Sequence, residues 1–135
     1  MNITNDEYWD LFDINRMIKL KHHRRGDVIP DGLYHLVVHS WIMDKSGMFL
    51  VSQRQKRRSY ALKWERTGGS VLEGESSLSG AIREVKEELG IDLSGEISYF
   101  IKSEKRDKYH DFFDSWLFIV DKEKMHCVID ESEVK

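Results

Sequence analysis

Polar and apolar positions along the chain alternate in two different periods, and the switch between them sets the element order. Residues 8–21 place Trp9, Leu11, Phe12, Ile14, Met17, Ile18 and Leu20 around Asn15-Arg16, the pattern of a short β-hairpin. Residues 21–32 are polar and rich in turn formers. Residues 33–43 are rich in Val, Ile and aromatics and predict a strand. A turn over 44–47 leads to a returning strand over 48–54, then to a basic loop over 55–63. Residues 64–67 predict a short strand that runs into Gly68-Gly69. Two further strands, 96–103 and 112–120, flank a charged turn over 104–111. The tail, 125–135, begins apolar and ends acidic. Many strands and one internal helix predict an α+β domain on a mixed sheet.

That helix is predicted over residues 77–89. At 100° per residue, Leu78, Ile82, Val85 and Leu89 fall within about 60° of one another and form a core-facing stripe. Ser76 or Ser77 can cap its start. Gly90 suits the left-handed position that stops it. Glu84, Glu87 and Glu88 stand at i, i+3 and i+4, on the side away from the stripe.

Composition narrows the class. The chain has 135 residues, enough for one domain spanning 1–135 with a core that needs no staple. Hydrophobic residues are 40% and charged residues 33%, which predicts a soluble globular protein. No apolar run approaches a membrane span, and the first residues lack the apolar stretch of a secretory signal. One cysteine, Cys127, excludes an internal disulfide framework and reads as a small core residue. These features together predict a cytoplasmic protein. The net charge of −3 gives no reason to expect nucleic acid as a partner. Basic residues nonetheless cluster around Lys19–Arg25, Arg54–Arg58 and Lys102–Lys108, as solvated surface or as the lining of a polyphosphate cleft.

The chemistry concentrates on the helix. Three carboxylates on one face repel each other by a few tenths of a kcal/mol per pair. A solvated acidic face is the ordinary reading of such spacing. A divalent cation would also reconcile them, because Mg²⁺ takes hard oxygen ligands and is held by carboxylates together with substrate phosphates. The surrounding pattern favours the cation. Residues 69–91 read GSVLEGESSLSGAIREVKEELGI and fill every fixed position of Gly-x5-Glu-x7-Arg-Glu-U-x-Glu-Glu-x-Gly-U, where U is aliphatic. The positions are Gly69, Glu75, Arg83, Glu84, Val85, Glu87, Glu88, Gly90 and Ile91. Seven specified residues at roughly one in fifteen each make a chance match on the order of 10⁻⁸.

This segment resembles the Nudix box. The resemblance implies the Nudix fold: a mixed sheet with a loop-helix-loop, in an α/β/α sandwich. Relatives usually continue past a segment like 130–135 into a further strand and a C-terminal helix, so the expectation here is a sandwich without that helix. It implies a hydrolase that cleaves a diphosphate linkage with Mg²⁺ or Mn²⁺. Glu84, Glu87 and Glu88 would hold the metal and carry catalysis, and Gly69 would add its carbonyl. Glu75 and Arg83 would pair and support the helix. A downstream acid (Glu104, Asp107, Asp111, Asp114 or Glu131) or a box glutamate would act as base.

The substrate is less constrained. The expected partner is a small-molecule diphosphate such as a nucleoside diphosphate derivative, bound by a monomer or homodimer. Arg54, Arg58 and Tyr109 are candidate substrate contacts. Position 107 is Asp rather than the proline common in ADP-ribose hydrolases, and the only proline is Pro30. Tyr109 lies close to where dinucleoside polyphosphate hydrolases carry a tyrosine, although a surface aromatic is the plainer reading. The first half of the chain also resembles Nudix proteins related to isopentenyl diphosphate isomerase. Those enzymes use a cysteine and a histidine-rich metal site before the box, where this chain has Thr67-Gly68-Gly69-Ser70. His35, with His22 or His23, falls near isomerase ligand positions, but His35 reads better as a strand histidine with a structural hydrogen bond. An isomerase-like enzyme and a non-catalytic nucleotide-binding module are the two alternatives to hydrolysis.

Overall fold

The computed structural model describes residues 6–45 and 67–121. The expected strand over 48–54, the basic loop with Arg54 and Arg58, the acid Glu131, and the tail with Cys127 lie outside the described residues.

The chain enters through an antiparallel hairpin of β1 (Tyr8–Phe12) and β2 (Ile18–Arg24). Its turn is tied by Asp13, whose Oδ1 accepts from the backbone N–H of Asn15 at 2.9 Å and of Met17 at 3.0 Å. These backbone donors lower the Asp13 carboxyl below its ordinary value. The second strand runs further than the polarity of residues 21–24 suggested. Pairing decides this: Tyr8 stands opposite Arg24 and Trp9 opposite His23, and the His22 ring stacks on Tyr8 at 3.9 Å.

The second sheet has the order β4-β3-β6-β5, with β3 His35–Asp44, β4 Thr67–Ser70, β5 Ile97–Arg106 and β6 Asp111–Val120. β3 and β6 are parallel over ten pairs, from His35↔Asp111 to Asp44↔Val120. The outer pairings are antiparallel, so the sheet is mixed. β5 runs through Arg106, three residues beyond its expected end, because Lys105 and Arg106 stay in register with Phe112 and Asp111. Only a 3-10 turn, Asp107–Tyr109, separates the two strands.

Among the described residues one helix, α1 (Ser77–Leu89), packs on the sheet face formed by even-numbered residues of β3 and β6. Leu36, Val38, Ile42, Phe112, Phe118 and Val120 meet Val71, Ala81, Val85, Ile91 and Leu93 there. The expected stripe is present, with Val85 fully buried and Leu78, Ile82 and Leu89 packed at the margin of the core. Ser76 is the residue that caps the start: its hydroxyl accepts from Ser79 N, and Ser79 Oγ accepts from Ser76 N. Gly90 ends the helix at φ 75°, where its N–H reaches Lys86 O. The architecture is therefore α+β, and a second covering helix is not among the described residues.

Candidate active site

The box begins on the edge of the sheet. β4 pairs with β3, so Gly68 stands opposite His39 and Gly69 opposite Val38. Neither position leaves room for a side chain. A Cβ on Gly68 would meet the Val38 carbonyl oxygen at 2.5 Å. A Cβ on Gly69 would meet Glu84 Oε2, so the bare glycine is what lets the helix bring that carboxylate against the strand.

Residues 71–76 then cross from sheet to helix. Val71 N–H reaches Leu36 O at 2.9 Å, and Leu72 N–H reaches Glu75 Oε1 at 2.8 Å. Glu75 in turn is gripped by Arg83, with Nε to Oε2 at 2.7 Å and Nη2 to Oε1 at 3.1 Å. The same guanidinium donates from Nη2 to Ser70 O at 2.9 Å. Its Nη1 lies 3.2 Å from Glu84 Oε2 and 3.2 Å from Glu87 Oε1. One arginine thus ties the strand end, the connecting loop and two helix glutamates together. Burial works against its charge, but the bond to Glu75 and the charges of Glu75, Glu84 and Glu87 outweigh that and raise its pKa.

The three glutamates differ in environment. Glu84 is mostly buried, Glu87 is 60% exposed at its side chain, and Glu88 Oε1 accepts from Gly68 N at 3.3 Å. Burial, with the charges of Glu88 and Glu87, pushes the Glu84 carboxyl up to about 7 against the pull of Arg83. A cation placed beside Glu84 would oppose that shift by favouring its ionised form. As placed, however, the glutamates point to Arg83 and Gly68, and no three carboxylates or histidines converge tightly enough to cage an ion among the described residues. The donor chemistry therefore fits a hard cation, with side-chain rotation needed to gather it.

The other sheet face, formed by odd-numbered residues, carries a cavity of about 340 Å³ lined by His39, Trp41, Ile101, Lys102, Glu104, Phe113 and Ser115. The His39 ring meets Phe113 edge-on at 4.4 Å, and Nε2 shares a 2.9 Å hydrogen bond with Ser115 Oγ. His39 is also the residue opposite Gly68, so the cavity floor adjoins the strand that carries the box glycines.

Among the downstream acids, Asp111 is buried on Arg106, with contacts of 2.8 and 2.7 Å. Asp114 is fully buried under Arg16 and Ser77. Asp107 is held by Tyr34 and Lys105, which lower its pKa, Lys105 first. Glu104 differs in lining the open cavity. Tyr109 stays on the exposed 3-10 turn with Arg106 4.6 Å over its ring.

The histidines compared with isomerase ligands do not gather. His22 pairs with Glu73, His23 bonds Asp27 O, and His35 stacks on Trp9 at 3.9 Å. The expected hydrogen bond is missing at one ring atom: His35 Nδ1 is buried without a partner. The contacts that sequence reasoning did not foresee come from the hairpin. Asp10 Oδ2 accepts from Gly74 N at 3.0 Å, and Arg16 reaches Asp114 beneath the helix start. Asp10 gave no signal beyond being the polar step between Trp9 and Leu11.

Comparison with known proteins places the chain in a family. The NUDIX domain family model matches residues 33–135. The chain is 38% identical over 135 residues to an uncharacterised Nudix hydrolase of Listeria innocua, covering 95% of this chain and 76% of that one. It is 33% identical over 66 residues to the CTP pyrophosphohydrolase of Escherichia coli, covering 49% of this chain and 47% of that one. Among solved structures, that of DR0079 from Deinococcus radiodurans aligns with a TM-score of 0.60 at 22% identity, over 85% of this chain and 72% of that one. The matched box, the mixed sheet and the relatives lead to one conclusion: this chain belongs to the Nudix family and is a hydrolase of that type.

Proposed function

We propose that the protein is a Mg²⁺- or Mn²⁺-dependent pyrophosphohydrolase acting on a nucleoside diphosphate derivative or a related diphosphate. The observation that carries this reading is the strapping of Glu84 and Glu87 to Glu75 and to the Gly69–Ser70 strand through Arg83.

Glu84, Glu87 and Glu88, with the carbonyl of Gly69, would hold the metal. When bound, such an ion neutralises phosphate charge and lowers the pKa of a ligated water. The chain's own contribution is placement. Arg83 tethers Glu84 and the solvent-exposed Glu87, Gly69 lets Glu84 lie against the strand, and Gly68 N–H orients Glu88. The nucleoside portion of a substrate would occupy the cavity of His39, Trp41 and Phe113, where rings offer stacking faces and Ser115, Lys102 and Glu104 offer polar contacts. The similarity to a CTP pyrophosphohydrolase supports a nucleotide substrate.

The test is product release from a panel of nucleoside triphosphates, ADP-ribose, nucleotide sugars, dinucleoside polyphosphates and isopentenyl diphosphate, with Mg²⁺ and with Mn²⁺. Glu87→Gln should lower kcat by at least about two orders of magnitude with the fold intact. Turnover near wild type in that variant would refute the metal assignment.

A further inference from the structure

The hairpin of residues 8–24 lies outside the segment matched by the family model, which begins at residue 33. It nevertheless reaches the box at both ends of residues 74–77. Asp10 Oδ2 accepts from Gly74 N at 3.0 Å, and Asp10 is only 7% exposed. Arg16, at the hairpin turn, donates from Nη1 and Nη2 to Asp114 at 3.1 and 2.9 Å, and Ser77 Oγ donates to the same carboxylate at 2.7 Å. A backbone bond, Glu73 N–H to Tyr8 O at 2.8 Å, and the His22–Glu73 pair at 2.9 Å add to the seam. Between the two side-chain struts lie Glu75, which carries Arg83, and Ser76, which caps the helix.

We propose that Asp10 is a positioning residue for the metal-binding glutamates, acting from the hairpin through Gly74, Glu75 and Arg83. Gly74 sits at φ 83°, and a Cβ there would meet no atom within 4 Å, so no side-chain packing at that residue fixes the loop. The Asp10 carboxylate supplies that restraint from a neighbouring strand. The acceptor oxygen comes from a side chain that is itself buried on β1. If the restraint goes, the 74–77 segment gains freedom, Glu75 loses its fixed placement, and the Arg83 fan loosens. The effect should fall on the metal glutamates and on kcat, since the substrate cavity of β3, β5 and β6 lies on the other sheet face. The inference rests on the metal-dependent hydrolase reading.

The experiment compares Asp10→Ala and Asp10→Asn with wild type in Mn²⁺ affinity, followed by electron paramagnetic resonance, and in kcat and KM on whichever panel substrate is turned over. Loss of an outer partner of metal ligands ordinarily costs about 10- to 100-fold in metal affinity or activity. Asp10→Ala should therefore weaken Mn²⁺ binding and lower kcat by about tenfold with KM little changed. Asp10→Asn keeps an acceptor oxygen for Gly74 and should return both values to within a few-fold. Should the alanine variant not fold, Asp10→Glu, which displaces the carboxylate by one methylene, should show the same losses. Wild-type Mn²⁺ affinity in Asp10→Ala or Asp10→Glu would overturn the proposal, as would an asparagine variant as weak as the alanine one. Mn²⁺ binding is read without substrate. Failure of wild type to hydrolyse any panel member would sink the hydrolase reading while leaving this comparison intact.

Discussion

Arg83 and Glu75 meet through two parallel hydrogen bonds, at 2.7 and 3.1 Å, with both side chains about one-fifth exposed. This fork geometry cannot be reproduced by an ammonium group, which has one nitrogen and no plane. Arg83 also spends its remaining donors on Ser70 O, Glu84 and Glu87. Arg83→Lys should therefore cost about 2 kcal/mol of stability, from lost charge-assisted bonds in a partly buried setting. It should also lower activity by more than tenfold, because Glu84 and Glu87, the two tethered members of the proposed metal site, lose their hold. Urea denaturation and steady-state kinetics on the same preparation check both.

Gly68 and Gly69 are adjacent but should fail differently. A methyl on Gly68 strikes backbone, the Val38 carbonyl oxygen at 2.5 Å, and can be relieved only by opening the β3–β4 pairing. A methyl on Gly69 strikes the carboxylate end of Glu84, which can rotate away. Gly68→Ala should lose roughly 2 kcal/mol or more by thermal or chemical unfolding, as overpacked sites do. Gly69→Ala should stay near wild type in stability and lose metal-dependent turnover. Equal stability losses in the two variants would contradict this placement.

The sequence carried the box because the chemistry there is written in residue identity at fixed spacing. Gly69, Glu75, Arg83 and the three glutamates come from one continuous stretch, and the helix that presents them shows its period in Leu78, Ile82, Val85 and Leu89. Strand ends were less legible. Residues 21–24 are polar, and their place in β2 comes from pairing with β1 rather than from their own propensity. Long-range polar contacts were not legible at all. Asp10–Gly74 and Arg16–Asp114 join positions 64 and 98 residues apart, and no local pattern encodes such a pair. Tyr109 is the surface aromatic that its charged surroundings suggested, exposed on its turn with Arg106 and Lys108 over its ring.

Asp114 is fully buried, and its partners are Arg16 and Ser77. Trp116 Nε1 then donates to Ser77 Oγ at 2.9 Å, so the carboxylate is the hub of a network joining hairpin, helix and β6. Removing one partner of a buried ion pair leaves an uncompensated charge or unsatisfied donors. Asp114→Ala should cost about 3–5 kcal/mol. Arg16→Ala should cost a comparable amount, since it leaves the fully buried Asp114 carboxylate with Ser77 as its remaining side-chain partner, even though the departing arginine side chain is 36% exposed. A double-mutant cycle by denaturant unfolding should return a sizeable coupling between the two. Additive effects would mean that the pair contributes nothing as a pair.

His35 makes folding pH-dependent. It stacks face to face on Trp9 at 3.9 Å, with an interplanar angle of 4°, and is 8% exposed. Burial lowers its pKa to about 4; Asp111 pulls the other way, and His23, Arg25 and Arg106 add to the lowering. In the unfolded chain the ring has the ordinary value of 6.5. Between these values the unfolded state binds the extra proton, so stability rises with pH across the window. The contribution is fully present above pH 6.5 and is lost progressively as pH falls toward 4. Between pH 7.5 and pH 5 this amounts to about 2 kcal/mol from His35 alone. His35→Phe keeps an aromatic ring for Trp9 and removes the titrating nitrogens. Unfolding free energies from urea denaturation at pH 7.5 and pH 5 should therefore fall less with acid in His35→Phe than in wild type, by about 2 kcal/mol. Identical pH slopes in the two proteins would place the acid sensitivity elsewhere and leave the buried ring without a role in it.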